Sequence, residues 1–160
     1  MTQMTRIDAG GVAVGSLDHL AGWEATLVTQ LRCWCDGDQG RTTVFDTFAR
    51  CFDPNEAERA FAAFEALVTT LMLHAHRPLV RHSVQCSCLG ADESVFIHFI
   101  RLAEAGQFND ATLVATLMIG ATYAEHLTLI AGEVGHTARQ MSQYISTPIS
   151  RACPSAALLH

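Results

Sequence analysis

Lysine is absent from this sequence: its ten cationic side chains are all arginines, set against sixteen aspartates and glutamates for a net charge of −6. No basic cluster stands out, and a nucleic-acid partner would require a positive stripe able to displace counterions from phosphates. Aromatic residues are also scarce, at 8%, although hydrophobic residues reach 49%. A packed core is therefore expected, built mainly from aliphatic and small side chains. Long apolar runs are missing as well. Leu113 to Ile119 is the longest, well short of the roughly 20 residues that cross a bilayer. The opening residues MTQMTRIDAGGVAVGS hold no apolar stretch of signal-peptide length, and Asp8 interrupts the weak one present. The expectation is a cytoplasmic protein with no membrane and no nucleic-acid partner. In that compartment the six cysteines are expected to be reduced, metal-bound or inert rather than disulfide-paired.

Catalytic signatures are absent too. There is no nucleophile elbow and no phosphate-binding glycine loop, and Gly10-Gly11 and Gly15 lack the strand–helix context of a dinucleotide fingerprint. No spacing of Ser, His and Asp singles out a triad. The sequence names no substrate and no reaction.

What is present is helical periodicity. Ser16 and Asp18 suggest a cap, and Leu20, Trp23, Leu27, Leu31 and Trp34 recur at three- and four-residue steps, which predicts a helix over 17–35. Asp36-Gly37-Asp38-Gln39-Gly40 ends it, and a shorter helix follows through Val44, Phe45, Phe48 and Phe52. Asp53-Pro54 with Glu56 and Glu58 marks the clearest helix start, and the face Phe61, Phe64, Val68, Leu71 carries that helix to His74 before Arg77-Pro78 stops it. From Asp92 the spacing Val95, Phe96, Phe99, Ile100, Ala103 gives another helix, closed by Gly106. Asn109 or Asp110 can cap a fifth, which Gly120 breaks or bends before the stripe Tyr123, Leu127, Ile130, Val134, Met141, Ile145. No sustained alternation and no repeat appear. The fold class is all-α, a compact bundle of five or six helices over 16–145, with a flexible N-terminus at 1–15 and an irregular tail at 146–160.

Chemistry concentrates in one connection, Arg81-His-Ser-Val-Gln-Cys-Ser-Cys-Leu-Gly-Ala-Asp-Glu93. His82, Cys86 and Cys88 are soft donors close in sequence, and zinc takes thiolate and imidazole, usually four in a tetrahedron. A fourth ligand must come from elsewhere. Cys35 is in phase with Val28 and Leu31 on the first helix, so it ranks first. His74, in phase with Leu67 and Leu71, follows, and then Asp92 or water. The helix start at Gly90 and the charge of Arg81 favour thiolate, whereas Asp92 and Glu93 oppose it. Arg77 and Arg81 are expected to pair with Asp92 and Glu93.

The segments Arg77-Pro78-Leu79, Arg81-His82 and Cys86-x-Cys88-Leu89-Gly90-Ala91-Asp92-Glu93, with Trp34-Cys35-Asp36-Gly37 upstream, resemble an uncharacterised family of short bacterial helical proteins. The resemblance carries no established activity. It implies that Cys35 belongs with the downstream group.

Three functional expectations follow. The first is a structural or regulatory zinc-type site made by His82, Cys86, Cys88 and Cys35. The second is a metal-free helical interaction module, with an unknown protein partner or a homodimer through the Tyr123–Ile145 stripe. The third is a thiol-redox protein. A Cys86–Cys88 disulfide would close a tight ring, and a partner at another cysteine is sterically easier, with fifteen full pairings open to six cysteines. Glu133-x2-His136 has the spacing of di-iron bundles but no second such pair, so it reads as an exposed helix face. His74 and His76 lie two apart and cannot share an ion on an intact helix.

Overall fold

The computed structural model describes residues 9–145, so the expected tail at 146–160 lies outside the described residues, as do residues 1–8. Among the described residues six α-helices follow one another: α1 (Gly22–Trp34), α2 (Asp38–Cys51), α3 (Pro54–His74), α4 (Ala91–Glu104), α5 (Phe108–Ala115) and α6 (Ala121–Ile145). The chain is an all-α bundle. Its long last helix, α6, packs against each of the other five.

Local chemistry explains most of the boundaries. Asp53 accepts a hydrogen bond from the Glu56 N–H at 3.0 Å while Pro54 occupies the first helical turn, where the missing proline donor costs nothing. Replacing Asp53 by alanine is expected to lower the unfolding free energy by about 1 kcal/mol; a shift in the urea midpoint at constant slope checks this. Gly106, at φ 78°, turns the chain after α4. Gly120 breaks the helix rather than bending it: Ala75 and Ile119 form an isolated bridge there, and α6 starts afresh at Ala121. Close approach of α6 to α4 depends on Gly135, where an added Cβ would lie 2.7 Å from Glu104 Cβ.

Two helix starts differ from their sequence signals. Ser16 caps a single 3-10 turn, Leu17–His19, and α1 begins only at Gly22 with no side-chain cap. Neither Asn109 nor Asp110 caps α5, which starts one residue earlier, at Phe108. Gly40 lies inside α2 rather than ending α1; Gly37, at φ 92°, makes the turn.

The core runs through the centre of the bundle. Leu27, Val28, Phe64, Leu67, Phe96, Phe99, Ile100 and Leu127 are essentially inaccessible to water. Burying each such side chain contributes roughly 1.5–3 kcal/mol of transfer free energy.

The departure that matters for the site is a two-stranded antiparallel sheet. β1 (Ala13–Ser16) pairs with β2 (Cys88–Gly90), setting Ser16 opposite Cys88 and Ala13 opposite Gly90. Residues 9–15, expected to be flexible, thus form with Ser16 a strap across the cysteine-bearing connection. The Ala91 N–H donates to the Val12 carbonyl and the Leu17 N–H to the Ser87 carbonyl, both at 2.9 Å.

Candidate functional site: a clamped thiol loop

The connection from Arg77 to Gly90 has little regular structure of its own, so its backbone groups need partners from outside. Three come from one side chain. Arg32 projects from α1, is 0% exposed, and meets Glu93, 1% exposed, in the first turn of α4. Its Nε donates to Glu93 Oε1 at 2.7 Å and its Nη2 to Oε2 at 2.8 Å. The remaining donors reach three loop carbonyls: Ser83 at 3.1 Å, Cys86 at 2.7 Å and Cys88 at 2.6 Å. All five guanidinium N–H groups are used.

Glu93 is equally satisfied. It accepts from the His82 N–H at 3.1 Å and from the Gly90 N–H at 2.9 Å, the latter being the carboxylate half of a capping box. Burial opposes its charge, yet Arg32 and the two N–H donors hold the carboxyl below the usual carboxylate range. The same pattern repeats one residue earlier. Arg77 grips Asp92 through two bonds, 2.8 and 2.7 Å, and the Val80 N–H donates to it at 2.8 Å. Burial again opposes ionisation, and these donors again overcome it, lowering the Asp92 carboxyl.

The expected pairing of Arg77 with Asp92 is present, but Glu93 has a different partner. Arg81 turns instead to Asp36 at 3.3 Å and to the Cys35 carbonyl at 3.1 Å, tying the loop to the end of α1. Arg32 was the residue sequence reading missed. Its signal was its phase: it follows Val28 by four residues and precedes Cys35 by three, so it shares their side of α1.

Within the clamp lie the thiols. His82 Nε2 is 3.0 Å from the Gly11 carbonyl. A carbonyl oxygen only accepts, so Nε2 carries the proton and Nδ1 of a neutral ring is free to accept one. Cys86 Sγ lies 3.7 Å from that Nδ1. Cys88 stands next to Cys86, whose sulfur hydrogen-bonds to it and pushes the Cys88 thiol up; the Cys86 charge and burial add to the shift, and Arg32 works against it. Both cysteines are half-buried. The loop thus holds an imidazole, a thiol facing its unprotonated nitrogen, and a second thiol that stays protonated beside the first.

Cys35 lies against Arg81: burial pushes its thiol up, Arg81 opposes, Asp36 adds to the rise and Arg41 works against it. Burial raises the Cys33 thiol too, and Asp36 adds to it. The other expected fourth ligands are engaged as well: His74 stacks on Tyr123 with ring centroids 3.8 Å apart, and Asp92 is held by Arg77. Among the described residues no three His, Cys, Asp or Glu side chains are grouped so as to hold a metal ion. Glu133 and His136 are exposed. Among the described residues no helix is long and apolar enough to cross a membrane.

The fold and the site together define an all-α protein with a clamped thiol–imidazole loop. Set against protein-family models, curated proteins and solved structures, the chain has no match.

Proposed function

We propose that this protein is a thiol–disulfide exchange protein in which Cys86 attacks, His82 carries the proton and Cys88 resolves. The observation that carries the reading is the approach of Cys86 Sγ to within 3.7 Å of an imidazole nitrogen left unprotonated by the Gly11 carbonyl. Thiolate is the attacking form of cysteine, and an adjacent base supplies it.

The chemistry balances without a bound cofactor. Cys86 passes its proton to His82 Nδ1, and the thiolate attacks one sulfur of a substrate disulfide. That S–S bond breaks, a Cys86 mixed disulfide forms, and the departing thiolate takes the proton from His82. Cys88 then loses its proton to the leaving group and attacks the Cys86 sulfur. A Cys86–Cys88 disulfide forms and the second substrate thiol is released. The two protein thiols are oxidised and the substrate disulfide is reduced; an external dithiol restores the starting state. Arg32 fixes the carbonyls of Cys86 and Cys88, so the backbone that carries the two thiols is held while their side chains close the bond.

Glutathione disulfide serves as the probe. In a Cys88→Ser variant the exchange stops at the first step, and peptide mapping is expected to find a single glutathione on Cys86. The intact pair should instead close its own disulfide and release both glutathiones. Scattered glutathionylation over all the cysteines, or none at Cys86, would count against the reading. The zinc-type site of His82, Cys86, Cys88 and Cys35 is the alternative proposal. Its mark in the same experiment is protection of Cys86 and Cys88 until a chelator is added.

A further inference from the structure

We infer that the N-terminal strap is a positioning element of the thiol pair: Gly10 and Gly11 seat it so that the Gly11 carbonyl fixes His82 with Nδ1 turned to Cys86. This rests on the thiol-exchange reading. It concerns residues that carried no meaning as a sequence motif.

The glycines are what allow the approach. A Cβ on Gly10 would lie 2.1 Å from Asp92 Oδ2 and 2.4 Å from its Cγ. Asp92 has no room to retreat, because Arg77 holds both its oxygens and the Val80 N–H holds one of them. A Cβ on Gly11 would meet Val80 Cγ1 at 2.9 Å, and one on Gly90 would meet His82 Cδ2 at 3.0 Å. Strap, ring and helix start are therefore packed backbone against imidazole.

The rest of the strap fixes its height over the loop. Ala91 bonds to Val12, Leu17 bonds to Ser87, and β1 pairs with the strand that contains Cys88. At Gly11 the carbonyl meets His82 Nε2 at 3.0 Å. Removing that acceptor frees the ring proton to move to Nδ1, which would then face Cys86 as a donor rather than an acceptor. The strap thus decides which nitrogen is available to the thiol.

Gly10→Ala is the direct test, with two readouts in the full-length chain. The first is the His82 tautomer from 15N NMR of histidine-labelled protein, assigned by comparison with His82→Gln. The second is the rate at which Cys86 acquires glutathione in a Cys88→Ser background. In the parent chain His82 should be the Nε2–H tautomer. In Gly10→Ala the two tautomers should mix, and the Cys86 rate should fall from the parent value toward that of His82→Gln. A strap that has come off, seen as fast exchange of the Ala91 and Leu17 amides, with tautomer and Cys86 rate unchanged, overturns the inference. Equal rates in the parent and His82→Gln would instead defeat the thiol-exchange reading itself. Should Gly10→Ala fail to fold, Gly11→Ala applies the milder push, and adding Val80→Ala, which removes the obstructing methyl, should restore both tautomer and rate. No restoration in that folded double variant also overturns the inference.

Discussion

Glu93→Ala is expected to lower the unfolding free energy by about 3–5 kcal/mol, because it strands a buried guanidinium without its counter-charge. Arg32 is 0% exposed, so water cannot replace the lost carboxylate. Its three other hydrogen bonds run to the thiol loop, and the loop should loosen together with the end of α1. Urea unfolding of the single variants and of Arg32→Met combined with Glu93→Leu checks the cause. If the pair acts as a unit, the double variant costs no more than either single one; additive losses would mean that the two side chains act separately. The same ion pairs set an acid limit. Glu93 and Asp92 are both held below the usual carboxylate range by their arginines and N–H donors, against the opposing effect of burial. A depressed native value makes their contribution complete above the unfolded values near about 4 and removes it as pH falls through the lower native values. Stability should therefore decline on acidification below about pH 4.

His82→Gln is expected to slow the attack of Cys86 on glutathione disulfide by about tenfold at pH 7, since an unassisted thiol is only a few per cent thiolate there. The substitution removes the proton acceptor 3.7 Å from the sulfur and leaves the His82 backbone N–H bonded to Glu93. The clamp should survive, so the loss belongs to the proton transfer and not to unfolding. Stopped reaction samples, alkylated and mapped by peptide, give the rate. A rate within twofold of the parent would show that the imidazole does not assist Cys86.

The helices were legible because their chemistry is local. Asp53-Pro54 and the Phe64–Leu71 face predict α3 from its cap to His74, where it does end. The sheet was not, because Ala-Val-Gly-Ser and Cys-Leu-Gly are too short to show alternation. Their pairing is decided by tertiary contacts across the long stretch of chain between them. For the site, the sequence brought out His82, Cys86 and Cys88 through their density in one segment, and the structure sets Cys86 Sγ 3.7 Å from His82 Nδ1. At Cys35, whose carbonyl accepts from Arg81, helical phase gives a direction from the axis but not a distance to a loop. Arg32 was hidden by its company: a charge beside Leu31 and Cys33 reads as a solvated side chain until Glu93 is seen facing it. Gly10 and Gly11 acquire meaning only through Asp92 and Val80, which no local pattern connects to them.

Competition among the native thiols for a limiting amount of iodoacetamide at pH 7, read peptide by peptide, puts the central claim most directly at risk. Cys86 should be alkylated ahead of Cys33, Cys35, Cys51 and Cys88. Labelling of Cys88 before Cys86, or uniform labelling of the half-buried cysteines, would contradict the account.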